Sequence, residues 1–100
     1  MTQRGDADFL AALEELRALH LSKNHDYADE TDALRNYVRS SHDFGVEPWR
    51  GAALRLAEKY HRLTNLLGKG VAPAHESIED TLMDIAAIAL IVRSLRRRQM

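Results

Sequence analysis

The chain has no cysteine, no apolar run long enough to cross a bilayer, and no surplus of charge of either sign. The missing cysteine removes disulfides, thiolate metal ligands and cysteine nucleophiles, and it fits a reducing compartment. With 14 basic and 15 acidic residues the formal net charge is −1, so the molecule as a whole offers no broad positive field to duplex nucleic acid. The most apolar stretch, Thr81 to Val92, is shorter than the roughly 20 residues a bilayer core requires. The opening residues MTQRGDADFL lack the apolar segment of a signal peptide. These absences lead us to expect a cytoplasmic protein with neither a membrane nor a duplex nucleic acid as partner. Strand alternation, internal repeats and low-complexity segments are missing as well.

What is present is an ordinary globular composition, 45% hydrophobic and 29% charged over 100 residues. That length suits one domain, expected over 1–100. A domain of this size buries only about two-thirds of the surface its unfolded chain exposes, so self-association is an accessible route to further burial. The pattern predicts an all-α fold, a small four-helix bundle-like domain assembled as a homo-oligomer.

Phe9, Ala12, Leu13, Leu16 and Leu19 recur at spacings of three and four after Asp6 or Asp8, which predicts a first helix ending near Ser22. Lys23 to Glu30 has no periodicity and many turn formers, and reads as a polar loop. A short second helix is expected from Thr31 or Asp32 to about Ser41, with Ala33, Leu34, Tyr37 and Val38 inward. Asp43 to Glu47 then turns the chain, and Pro48 suits the first position of a third helix. That helix carries Trp49, Ala52, Ala53, Leu56, Tyr60, Leu63 and Leu67 on one stripe and is closed by Gly68 and Gly70. A fourth helix is expected from near Ser77, or two or three residues earlier, to about Arg98.

The fourth helix is apolar on nearly every face between Thr81 and Val92, with one carboxylate at Asp84. Such a helix is expected to be surrounded, and an enclosed carboxylate needs a partner. Glu76, Asp80 and Asp84 can share one helical face at i, i+4 and i+8, where a divalent cation such as Mg²⁺ would relieve their repulsion. The plainer alternative is that Glu76, Glu79 and Asp80 favour the positive end of the helix dipole and that Asp84 pairs with an arginine. Arg55, Glu58, Lys59 and Arg62 form a mixed-sign stripe on the third helix, which is either a source of partners or a solvated face. Lys23, His25, Asp26 and Tyr27 are a second polar group, either a site or an exposed turn. The Asn36 amide can read a base, cap a loop or simply face solvent. The histidines show no zinc-ligand spacing. Arg93, Arg96, Arg97 and Arg98 complement the C-terminal end of the helix dipole, with a phosphate contact as the alternative.

The segments KNHDYADE, Asn36-Tyr37, RLAEKYHRLTNLL and HESIEDTLMDIAAIALIV resemble the nucleotide modification associated domain 1 family of phages and bacteria. That family shows K-x-x-D-Y, an Asn before an aromatic residue, R-x-x-D/E-K-x-x-R, and D/E-E-S-x-x-D-T-L-x-D-L-A. The resemblance covers about residues 10–95. The family is in turn similar to the MazG-like all-helical nucleoside triphosphate pyrophosphatases, which hold Mg²⁺ between carboxylates of two helices and work as dimers or tetramers. The resemblance implies that Glu58, Glu76, Asp80 and Asp84 are metal ligands and that Lys23, Arg55, Lys59 and Arg62 hold phosphates. It implies further that Asp26, Tyr27 and Asn36 orient base or sugar. Glu58 stands alone where MazG-like enzymes carry E-E-x-x-E, and residue 28 is Ala where the family more often has Gly.

The expected activity is therefore Mg²⁺- or Mn²⁺-dependent pyrophosphohydrolysis of a (deoxy)nucleoside triphosphate by a homodimer or homotetramer, with Glu58, Lys59 and Asp84 as catalytic residues. Two other readings stay open: a non-catalytic nucleotide-binding or regulatory subunit, and a helical assembly protein in which Asp84 pairs with Arg55 or Arg62.

Overall fold

Asp6 sets where the first helix begins. Its carboxylate accepts the Phe9 backbone N–H at 2.9 Å and its carbonyl accepts the Leu10 N–H at 3.0 Å, the geometry of a side-chain N-cap. The computed structural model of the chain describes residues 4–27, 34–68 and 75–99, with side chains at 4–22, 34–68 and 78–99. The described residues form four α-helices: α1 (Ala7–Tyr27), α2 (Arg35–Asp43), α3 (Pro48–Gly68) and α4 (His75–Arg98). The protein is all-α, and no strand occurs among the described residues. No helix of the described residues is long and apolar enough to cross a membrane.

The chain divides into two compact units, residues 1–33 and 34–100. The first contains α1, which continues five residues beyond the expected end at Ser22. Lys23, Asp26 and Tyr27 therefore lie on helix rather than in a loop. The reason is local: polar turn formers weaken a helix but do not stop it, and no Gly or Pro occurs between Gly5 and Gly45. The remainder of the expected loop and the expected start of the second helix, at Thr31 or Asp32, lie outside the described residues, as does Ala33.

In the second unit, α2 packs on α3 and α3 packs on α4. Trp49 meets Arg96 and Lys59 meets Asp84, so α3 and α4 run antiparallel. The core gathers Leu34, Ala52 and Leu95, with Tyr37, Trp49, Ile91 and Val92 packed against it. Along α4 the buried residues are Thr81, Ile88 and Leu95, each seven positions after the last, which is the seam of two helices packed lengthwise. On α2 the inward face is Leu34, Tyr37 and Ser41, whereas Val38, expected inward, is exposed. Nine residues of helix give one narrow inner face, and Val38 falls one position off it.

Gly51 allows α2 to lie close on α3. A Cβ at this position would collide with the Ser41 hydroxyl, and Ser41 itself is buried. After α2, the Val46 N–H returns to the Ser41 carbonyl at 3.0 Å, and Gly45 takes a φ of +69°, a left-handed conformation that glycine adopts without a Cβ penalty. Pro48 then opens α3 as expected.

Two expectations about burial are corrected. Within the second unit α4 is not surrounded: only α3 runs along it among the described residues, and Leu82 and Leu90 are about half exposed, at 48% and 51%. On α3, Ala52 is buried and Trp49, Ala53, Leu56 and Leu63 are half-buried, but Tyr60 and Leu67 face outward. Both corrections have one cause. A pair of helices covers one side of each member, and an apolar residue off that seam stays open.

Candidate functional site

Because α4 begins at His75, Glu76, Asp80 and Asp84 all lie on regular helix and share a face at intervals of four. Glu76 is about 12 Å from Asp84 along the axis at 1.5 Å per residue. Asp80 stands one turn from each of them. The Glu76 side chain lies outside the described residues, as does that of Ser77. Glu79 and Asp80 are exposed. Glu79 projects about 100° away from Asp80 around the helix.

The α3 register places Arg55, Glu58, Lys59 and Arg62 along one stripe. Of these, Lys59 turns toward α4. Its ammonium Nζ donates a hydrogen bond to Asp84 Oδ2 at 3.0 Å, joining residues 25 positions apart. The side chains are 25% and 38% exposed for Lys59 and Asp84, so the pair is partly shielded and still open to solvent. The partner that an enclosed Asp84 required is thus a lysine, and neither Arg55 nor Arg62. Asp84 is also less enclosed than the all-round apolarity of its helix suggested.

This contact is charge-assisted and stronger than a neutral hydrogen bond. It leaves Asp84 Oδ1 and two further ammonium protons of Lys59 for other partners. The arrangement can therefore meet a cation on one side and a phosphate oxygen on the other. Arg55, Glu58 and Arg62 are exposed on α3 and add charge of both signs around the pair. Among the described residues no three His, Asp or Glu side chains gather closely enough to hold an ion between them. Asn36 lies exposed on α2. The side chains of Lys23, Asp26 and Tyr27 lie outside the described residues, so of the expected constellation the structure brings together Lys59 and Asp84.

A second polar arrangement was not anticipated from the sequence. The Trp49 indole N–H donates to Glu47 Oε2 at 2.6 Å. The guanidinium carbons of Arg50 and Arg96 stand 4.6 Å and 4.9 Å from the centre of the Trp49 ring, within the range of cation–π attraction. The Glu47 and Arg50 spacing of three was the one local signal. The arrival of Arg96 depends on the antiparallel register of α3 and α4, which no local pattern encodes.

Compared with known proteins, the chain matches no family model, no curated protein and no solved structure.

Proposed function

We propose that the protein is a Mg²⁺-dependent nucleotide pyrophosphohydrolase acting on (deoxy)nucleoside triphosphates, and that it works as a homo-oligomer. The observation that carries this reading is the Lys59–Asp84 contact. It sets the R-x-x-E-K-x-x-R segment of α3 against the E-D-T-L-x-D segment of α4, the two stretches that carry the family resemblance. The donor chemistry fits a hard divalent cation, since carboxylates one helical turn apart supply oxygen ligands. Asp80 and Asp84 would hold it together, with Glu76 and Glu58 adjoining. Bound there, Mg²⁺ or Mn²⁺ would screen the phosphate charge and make a coordinated water easier to deprotonate.

The chain's own groups supply the rest. Lys59 and Arg62 lie on the same α3 stripe and stabilise the negative charge that grows on the leaving pyrophosphate. Glu58 accepts the proton of the attacking water. That water adds to the α-phosphorus, the bond from the α-phosphorus to the bridging oxygen breaks, and nucleoside monophosphate and pyrophosphate depart. Lys23, Asp26, Tyr27 and Asn36 are assigned to phosphate, base and sugar, and Arg55 to phosphate.

The same contact also suits one alternative. Asp84 is already paired with Lys59, which fits a subunit that binds a nucleotide without turning it over. The test is a panel of ribo- and deoxyribonucleoside triphosphates, canonical and base-modified, incubated with Mg²⁺ or Mn²⁺ and scored for pyrophosphate. Turnover of any member supports the hydrolase and names its substrate. No turnover, with a raised melting midpoint in the presence of nucleotide, replaces it with the binding subunit, because a ligand that binds only the folded state stabilises it. A midpoint indifferent to both Mg²⁺ and nucleotide leaves the assembly protein.

A further inference from the structure

The arginines that end α4 play no part in the site above. Asp84 and Arg96 are twelve positions apart on one helix, about 18 Å along its axis at 1.5 Å per residue. Arg93, Arg96 and Arg97 stand at i, i+3 and i+4 and so occupy one face of the last turns. Arg96 fixes that face against Trp49, which Arg50 also approaches from the start of α3. Glu47 accepts the indole N–H and pairs with Arg50 Nε at 3.5 Å, so its carboxylate is already committed. Five positions before Trp49, the α2–α3 turn presents Phe44, 84% exposed, the most open large apolar side chain among the described residues. Exposed to that degree, the ring adds almost nothing to the core.

The formal net charge of −1 averages over a segregated distribution. Glu79 and Asp80 lie near the start of α4, while Arg93, Arg96 and Arg97 lie at its end. The argument against a broad positive field therefore does not apply to this end taken by itself. Guanidinium groups match phosphate oxygens in geometry as well as charge. The α2–α3 turn brings Phe44 to the same end of the second unit as these groups, and an open aromatic ring together with guanidinium groups offers the two contacts by which proteins hold unpaired nucleotides.

We propose that this end of the second unit, comprising Phe44, Trp49, Arg50, Arg93, Arg96 and Arg97, binds single-stranded nucleic acid, with the arginines following phosphates and Phe44 stacking on a base. A duplex keeps its bases stacked on one another and gives Phe44 no partner. An anionic membrane is disfavoured because it needs a continuous apolar face, and α2 spends its inner face on Leu34, Tyr37 and Ser41 in the core.

The experiment is fluorescence anisotropy of a labelled oligothymidylate of about 12 nucleotides, within the span such surfaces cover. It is run with the full chain and without divalent cation or triphosphate, so the result is independent of any hydrolysis. The emission of Trp49, the only tryptophan, gives a second readout. Binding should weaken linearly on a log–log plot as salt rises, and Trp49 emission should change as Arg50 and Arg96 turn toward phosphate. Arg93→Ala with Arg97→Ala should weaken binding about tenfold or more and flatten the salt slope. Phe44→Ala should weaken it roughly fivefold or more with the slope unchanged. All three side chains are exposed, so the circular-dichroism melt should not move, and Arg97→Lys, which keeps the charge but loses the guanidinium fork, should bind more tightly than Arg97→Ala and less tightly than the parent. The proposal is overturned if the oligonucleotide does not bind at low salt or if these variants bind like the parent. It is equally overturned if a duplex, inorganic polyphosphate or anionic phospholipid vesicles bind as tightly as the single strand.

Discussion

Lys59 on α3 holds Asp84 on α4 through a 3.0 Å ammonium–carboxylate contact across the antiparallel helix pair. Partly exposed pairs of this kind contribute about 1 kcal/mol or less to stability. The pair therefore adds little to folding, and its role is open to test by substitution.

Lys59→Met and Asp84→Asn should each shift the unfolding free energy by about 1 kcal/mol or less. Triphosphate hydrolysis in the same variants should fall about a hundredfold, the scale on which loss of one positioned charge is felt in a transition state. Urea melts beside initial rates check this, and a large stability loss with rates unchanged would assign the pair to folding.

Leu95 is 1% exposed and is the largest fully buried side chain among the described residues. Leu95→Ala should cost about 2–5 kcal/mol, the usual range for a core leucine replaced by alanine. Leu82→Ala and Leu90→Ala, on the open side of α4, should cost much less when measured on dilute chains by chemical denaturation.

The same open leucines lead to an expectation about assembly. The intact chain should scatter light as a dimer or larger at micromolar concentration, and Leu82→Gln with Leu90→Gln should shift it toward a monomer, since an apolar strip left open on a helix is a surface for a second copy. A parent that is already monomeric would remove the oligomer from the account.

Gly51 and Ser41 should behave as a coupled pair. Gly51→Ala alone gains helix propensity of about 1 kcal/mol but drives a methyl into the Ser41 hydroxyl. With Ser41→Ala the obstruction is gone, so a double-mutant cycle should show Gly51→Ala more favourable in that background by about 0.5 kcal/mol or more.

The helices were legible because their signals are local. Asp6 caps α1, Pro48 opens α3, Gly45 takes the left-handed turn, and the threefold and fourfold apolar spacings mark each body. The end of α1 was misread because turn-forming side chains were given the weight of a Gly or Pro stop. At the site, the face shared by Glu76, Asp80 and Asp84 followed from spacing alone. The partner of Asp84 did not, since Arg55, Lys59 and Arg62 stand within two turns of one another and only the α3–α4 register selects Lys59. The Trp49–Arg96 contact was illegible for the same reason, as its two ends lie on different helices. Burial of α4 was overestimated because apolarity states what a face would prefer to contact and not whether the chain supplies the contact.

The most direct measurement is phosphorus NMR of a nucleoside triphosphate that the panel shows to be consumed, incubated with Mg²⁺ and either the parent chain or Asp84→Asn. The account predicts nucleoside monophosphate and pyrophosphate in equal amounts from the parent and, over the same time, about a hundredth as much of each from Asp84→Asn. Nucleoside diphosphate and orthophosphate, or equal turnover by the two proteins, would contradict it.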